Sequence, residues 1–246
     1  MNIIVIIPAR YSSTRREGKP LGLIDGKSMI QRVYECVKMS EIVMDVIVAT
    51  DDQRIFDTVL KFGGKAIMTS TDNRTGTDRV AEAADKMGLD LDDIVVNVQG
   101  DQPHLVPQHL DDVISPFMTE PGVEMSTLAY KIVKKEEITN SKDCKVTFDD
   151  RGYALYFSRS PIPCARDADT VFDTYKHLGI YAYTRRFLET FRRLPEGRLE
   201  VIEKLEQLRV LEHGHRIRVV VTEYDSFEVD LPEDFARSEK LFANSQ

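Results

Sequence analysis

Cysteine is scarce. The 246 residues contain three, Cys36, Cys144 and Cys164, far apart and without a CxxC pair. An odd, scattered set builds neither a disulfide framework nor a thiolate metal site, and it fits a reducing compartment. No apolar run reaches the length needed to cross a bilayer. The opening stretch Ile3–Ile7 meets an arginine within three residues and no secretory signal pattern is visible, so the expected address is the cytoplasm, with no membrane insertion. The five histidines lack HExxH or related spacing, and neither GxSxG nor a Cys–His pattern occurs; zinc hydrolysis and covalent catalysis therefore have no positive support. Walker and dinucleotide glycine patterns are missing too. Net positive charge is also lacking: 33 Lys and Arg face 41 Asp and Glu, a formal −8 with a pI near 5.3. A nucleic-acid groove is not expected.

What is present reads as one α/β core, possible at this length with a subdomain. Short β-branched runs at 3–7, 44–49 and 94–98 suit strands buried on both faces. Between them lie helical stripes: Met29, Ile30, Val33, Val37; then Ile55, Phe56, Val59, Leu60; then Val80, Ala83, Ala84, Met87. This alternation predicts a mainly parallel sheet. Strand-like segments at 123–132, 145–150, 154–163 and 175–183 predict a mixed-strand lobe over about 123–200. Helical spacing over 199–211 predicts one helix with Leu199, Ile202, Leu205 and Leu208 on one side. A strand at 217–223 and a helix at 232–242, opened by Pro232, close the chain.

In open α/β sheets, ligands bind beyond the carboxyl ends of strands. Four segments qualify. IPARYSSTRREGKP (7–20) packs three arginines and a lysine beside the first strand of an acidic chain. Arg10, Arg15 and Lys19 suit a polyphosphate, with a merely solvated basic loop as the alternative. In ATDD (49–52), Asp51 or Asp52 suits a helix cap. In TSTDNRTGTDR (69–79), Thr75, Gly76 and Thr77 either approach a base or ribose or form an ordinary turn. In NVQGDQP (97–103), Asp101 suits a hard cation, as does Asp230 in EVDLPED (228–234); each is equally readable as a cap or turn residue. His177 either faces a substrate or belongs to the core. His213 and His215 read as surface or capping residues.

These stretches, together with YALYFSRSPIP (153–163), KHLGIYAY (176–183) and IEKLEQLRVLE (202–212), resemble the 3-deoxy-manno-octulosonate (Kdo) cytidylyltransferases over nearly the whole chain. The resemblance implies a Rossmann-like nucleotidyltransferase fold and a Mg2+-dependent, usually homodimeric enzyme, the middle lobe contributing to the dimer contact. Its substrates are CTP and an eight-carbon sugar acid, its products the CMP-sugar and diphosphate for lipopolysaccharide assembly. The basic loop then becomes a triphosphate cradle of Arg10, Arg15 and Lys19, and Asp101 with Asp230 the metal anchors. Thr75, Gly76, Thr77 and Arg79 resemble the ribose and base segment. Gln99, Arg159, His177, Tyr181, Glu206 and Gln207 match positions lining or supporting the sugar pocket, Arg159 being placed to grip its C1 carboxylate. Adjacent helix positions diverge by about 100°, so one of Glu206 and Gln207 is expected to face in.

The wording lies closer to the branch that uses 8-amino-3,8-dideoxy-manno-octulosonate. Where the ordinary branch has TGVD, this chain has FEVD, so Glu228 offers a carboxylate to an ammonium group; its alternative is a surface glutamate. Two departures from the family stand out: Glu17 replaces a frequent proline, and Thr75 a usual serine. The rival readings are the same reaction on ordinary Kdo, a nucleotidyltransferase for another sugar or alditol phosphate, and a nucleotide-binding regulator without turnover.

Overall fold

The computed structural model describes residues 1–12, 17–167 and 169–243. In chain order the elements are β1 (Ile3–Ala9), a 3-10 turn (Lys19–Leu21), β2 (Leu23–Ile24), β3 (Lys27–Ser28), α1 (Met29–Val37), β4 (Asp45–Thr50), α2 (Gln53–Lys61), β5 (Ala66–Met68), α3 (Gly76–Met87), β6 (Ile94–Val98) and α4 (Pro107–Thr119). There follow β7 (Met125–Lys131), α5 (Lys135–Thr139), β8 (Lys145–Phe148), β9 (Ala154–Ser158), β10 (Tyr175–Thr184), α6 (Arg185–Arg193), α7 (Arg198–Glu203), α8 (Leu208–Glu212), β11 (Arg218–Thr222) and α9 (Pro232–Ala243).

The main sheet runs β11-β7-β10-β6-β1-β4-β5. β1 lies parallel to both β4 and β6, whereas β10 runs antiparallel to β6 and β7. The chain leaves β1 toward β4 and β5 on one side, then returns to β6 on the other. The sheet therefore reverses direction of build at β1, and a crevice opens between the carboxyl ends of β1 and β6. Both strands are β-branched and almost wholly buried, because helices cover both sheet faces and leave no side for water. Two large apolar clusters, one per face, form the core.

The helical stripes behave as their spacing requires. Met29, Ile30, Val33 and Val37 are fully buried, as are Val80, Ala83 and Ala84. Leu60, expected in the second stripe, turns to solvent instead, because five positions carry it about 140° round the helix from Ile55. One further expectation changes, the single helix over 199–211. Within 123–200, β7 and β10 sit inside the main sheet and the β8–β9 pair leaves its path. Long apolar strands were bound to join the central sheet, since that buries both of their faces.

The single helix over 199–211 is in fact two. Lys204 adopts a left-handed conformation (φ 55°) and ends α7. Ile202 is consequently 67% exposed rather than in the stripe. The break is held by Arg209, which grips Glu200 with two bonds of 2.7 and 2.5 Å, a bidentate pair that fastens α8 to α7.

Candidate active site

Three segments build the crevice. The first follows β1. Pro8, Ala9 and Arg10 reach its edge, and Gly18 closes the basic loop by donating its N–H to the Tyr11 carbonyl at 2.9 Å. Gly18 has φ +68°, a left-handed turn that glycine adopts without a Cβ penalty. The turn delivers Lys19 inward, so a lysine becomes 7% exposed. Arg15 lies outside the described residues. Glu17 is exposed, within electrostatic reach of Arg54, and does not line the crevice.

The second segment follows β6. A Cβ at Gly100 would come within 3.1 Å of the Pro8 carbonyl, so the β1 and β6 ends approach as closely as they do because position 100 has no side chain. Asp101 follows at once. The third segment precedes α9. Val229 donates its N–H to the Asp101 carbonyl at 2.9 Å, and its side chain packs with Ile24, Met29 and Phe235 in a small separate core. Asp234 accepts from the N–H groups of Asp230 and Leu231 at 3.1 and 2.8 Å. Asp230 thus arrives from 129 residues further along the chain to face Asp101.

They meet at one point. Lys19 Nζ donates to Asp101 Oδ2 at 2.7 Å and to Asp230 Oδ1 at 2.5 Å. Burial works against the ammonium charge, but the two carboxylates outweigh it and hold the Lys19 pKa above its ordinary value. Asp101 Oδ1 is buried with no hydrogen-bond partner among the described residues. A cavity of about 350 Å3 opens here, lined by Arg10, Lys19, Thr75, Gly76, Arg79, Gln99, Asp101, Glu228 and Asp230 among others. Two converging carboxylates with an unsatisfied oxygen fit a hard cation whose remaining ligands come from phosphate and water. No cluster of three or more His, Cys, Asp or Glu side chains suited to a metal occurs among the described residues.

The α3 side is built by capping. Thr75 Oγ1 accepts from the Asp78 N–H at 3.1 Å and the Asp78 carboxylate accepts from the Thr75 N–H at 3.2 Å, a reciprocal box that fixes the helix start. Gly76 opens the helix at the cavity wall. Arg79 is tied to Asp51 at 2.6 Å and to Thr69 at 2.5 Å, so it braces the β4, β5 and α3 ends. Asp52, not Asp51, caps α2, and Asp51 serves Arg79.

Behind the cavity runs a directed chain of bonds. Gln99 Nε2 donates to Asn97 Oδ1 at 3.1 Å, Asn97 Nδ2 reaches Thr77 Oγ1 at 3.4 Å, and Thr77 donates to Glu206 at 2.5 Å. Burial pushes the Glu206 carboxyl above the usual range. Glu206 and Gln207 both point inward, because they fall in the turn between α7 and α8 and not on a continuous helix; Gln207 Nε2 is buried and unpartnered among the described residues. A 100° divergence between neighbours holds only within a helix, and the left-handed Lys204 interrupts it.

The other predicted sugar residues sit apart from the cavity lining. Tyr181 pairs with Asn97 across the sheet and is core. His177 stands between Phe157 and Tyr181. Its Nε2 is 2.9 Å from Thr127 Oγ1, whose hydroxyl is 2.8 Å from the Ile180 carbonyl. One hydroxyl has one proton; if it goes to the carbonyl, His177 Nε2 must be the donor. Burial brings the His177 pKa down to about 3. Arg159 spends its guanidinium on the carbonyls of Glu203, Ser141 and Lys204 at 2.7, 3.0 and 3.4 Å. Glu203 in turn accepts from Ser158 and the Arg159 N–H. Sequence reasoning missed Asn97 and Glu203. Asn97 had a signal, a lone amide inside the apolar run IVVNV; Glu203 had none, since its role depends on where α7 stops.

The model of the cytidylyltransferase family matches residues 4–217. The chain belongs to that family. It is 61% identical over 99% of its length to the 3-deoxy-manno-octulosonate cytidylyltransferase of Desulfosudis oleivorans, covering 98% of that protein. It is 52% identical, again over 99% of both chains, to the 8-amino-3,8-dideoxy-manno-octulosonate cytidylyltransferase of Shewanella sp. (strain ANA-3). Among solved structures, that of a CMP:2-keto-3-deoxy-manno-octonic acid synthetase complexed with CTP superposes with a TM-score of 0.93 at 40% identity, with all of both chains covered. This cytidylyltransferase is thus a nucleotidyltransferase. No helix among the described residues is long and apolar enough to cross a membrane.

Proposed function

We propose that the enzyme transfers CMP from CTP to the anomeric hydroxyl of 8-amino-3,8-dideoxy-manno-octulosonate with Mg2+ present. The observation that carries the reading is that Glu228 opens onto the same cavity as Lys19, Asp101 and Asp230. A Cβ at Gly179 would make ordinary contact, at 3.5 Å each, with Glu228 Oε1 and Gln102 Nε2, so β10 passes directly beside that carboxylate. An ammonium group on the sugar suits this acceptor through a charge-assisted bond.

In this reading the sugar C2 oxygen forms a bond to the α-phosphorus, the bond to diphosphate breaks, and the hydroxyl proton leaves to solvent. No enzyme nucleophile is needed; catalysis is positioning and charge stabilisation. Arg10, Arg15 and Lys19 bind the triphosphate and offset charge on the leaving diphosphate. Asp101 and Asp230 would hold Mg2+, which would supply charge stabilisation for the phosphates and acidify the attacking hydroxyl. Thr75 and Gly76 face the ribose and base, with Thr77 and Arg79 fixing their helix. Gln99 contacts the sugar, held by Asn97. Arg159, His177, Tyr181, Glu206 and Gln207 support the sugar side. A homodimer in the cytoplasm completes the reading.

The test is diphosphate release from CTP and Mg2+, run in parallel with Kdo and the 8-amino sugar. The expected result is preference for the amino sugar, with Glu228→Gly shifting the ratio toward Kdo by roughly tenfold or more, the worth of one hydrogen bond to a charged group. A wild-type preference for Kdo would discard the amine assignment and leave the transfer chemistry standing. That second reading, the same reaction on ordinary Kdo, is favoured by the name of the 61% identical relative.

A further inference from the structure

Two cations are assigned to one pair of carboxylates. Lys19 Nζ sits between Asp101 Oδ2 and Asp230 Oδ1 at 2.7 and 2.5 Å, with its side chain 9% exposed. A divalent ion held by both carboxylates needs those oxygens, and an ammonium already in contact with both stands in its way. The two acids are fixed by backbone: Asp101 through Gly100 and the Val229 N–H, Asp230 through the Asp234 carboxylate. Lysine is different, a compact charge on a four-carbon stem that can swing. Arg10 lines the same cavity, but the cation in contact with both acids is Lys19.

We propose that Lys19 is a built-in placeholder cation, which keeps the two carboxylates together and closes them to divalent metal until the phosphates of a nucleotide draw the ammonium away. The inference rests on the reading of Asp101 and Asp230 as metal anchors. It makes Lys19 a positioning residue before the reaction as well as a phosphate ligand during it. It also orders binding: metal alone is poorly held, and nucleotide and metal enter together.

The experiment measures Mn2+ binding to the full chain without nucleotide, by the electron paramagnetic resonance signal of the free ion. Wild type should bind weakly. Lys19→Met should bind roughly tenfold or more tightly, since a cation touching both ligands is gone, and Lys19→Gln should do the same should the Met variant fold poorly. Arg10→Gln, which removes a charge from the same cavity, should leave the affinity within about twofold of wild type, because exposed charges not in contact are weakly felt. Equal affinities in wild type and both Lys19 variants overturn the placeholder. Adding Asp101→Asn or Asp230→Asn to Lys19→Met should abolish the gain. A gain that survives both acid substitutions places the ion elsewhere, which sinks the anchor reading itself and the inference with it.

Discussion

The crevice at Asp101 and the region around His177 and Arg159 are both polar, but they spend their polarity differently. At the crevice, two acids share one lysine and Asp101 keeps a buried oxygen without a partner among the described residues. Around His177 and Arg159 the bonds run to backbone carbonyls and a hydroxyl of the chain itself. The first arrangement is incomplete without a ligand; the second is already closed. Substitutions in the first should therefore cost activity and spare the fold, and those in the second should cost both.

The largest effect is expected at the crevice. Asp101→Asn and Asp230→Asn should each lower kcat by roughly 100-fold or more, the scale seen when a preorganised charge is removed from a transition state. Stability should hold or rise slightly, because two carboxylates facing one ammonium carry an excess negative charge that either substitution removes. Thermal melts beside steady-state rates check both halves. A large drop in Tm with normal kcat would make the triad a structural ion pair and erase the contrast.

Arg159→Lys tests the other region. It retains the positive charge and gives up the fork that spans the Glu203, Ser141 and Lys204 carbonyls. Each lost hydrogen bond is worth about 1 kcal/mol, so stability should fall by about 1–3 kcal/mol in denaturant titration. KM for the sugar acid should rise more than kcat falls, if the arginine also meets the sugar carboxylate. An unchanged Cm would show that the carbonyl contacts contribute nothing and leave Arg159 a pure ligand.

These two regions were not equally legible in the sequence. The strands, the apolar stripes and the strand-end loops follow from local periodicity, and Arg10, Lys19 and Asp101 could be picked out because they stand just past buried strands. The meeting of Asp101 with Asp230 could not, since it is made by a backbone bond from Val229 and a four-residue apolar core. The break between α7 and α8 was invisible for another reason. Its residues have ordinary helical spacing, and only the buried Arg209–Glu200 pair and the left-handed Lys204 decide against one helix. Polar residues that serve other residues are set by tertiary placement: Asn97 shows only as a lone amide in an apolar run, and Glu203 carries no local signal.

His177 sharpens the closed region by pH. Its pKa is lowered to about 3 by burial, against about 6.5 when exposed. Between those values the unfolded chain binds a proton that the folded chain refuses, so stability rises with pH across the window and is lost as pH falls from about 6.5 toward 3. The slope from one such group is about 1.4 kcal/mol per pH unit. His177→Gln keeps a donor for Thr127 and removes the titration. Urea midpoints from pH 4 to 7 should flatten in the variant; parallel curves would mean that His177 protonates in the folded state.

The smallest effect returns to the crevice, at the cap that starts α3. Thr75→Ala removes the oxygen that accepts the Asp78 N–H, a loss of about 1 kcal/mol for an N-cap, or about 2–4 °C in Tm for a chain of this size. Thr75→Ser keeps the hydroxyl and should match wild type, which separates the cap from the methyl group. The activity readout is the more telling one. Gly76 directly follows the cap and lines the cavity, and Thr77 holds Glu206. If the open region needs its helix end held in place for CTP, KM for CTP should rise in the alanine variant and recover with serine. A Tm loss without a KM change would show that the cap stabilises α3 but does not position the nucleotide, and the base-side assignment of Thr75 would then rest on Gly76 alone.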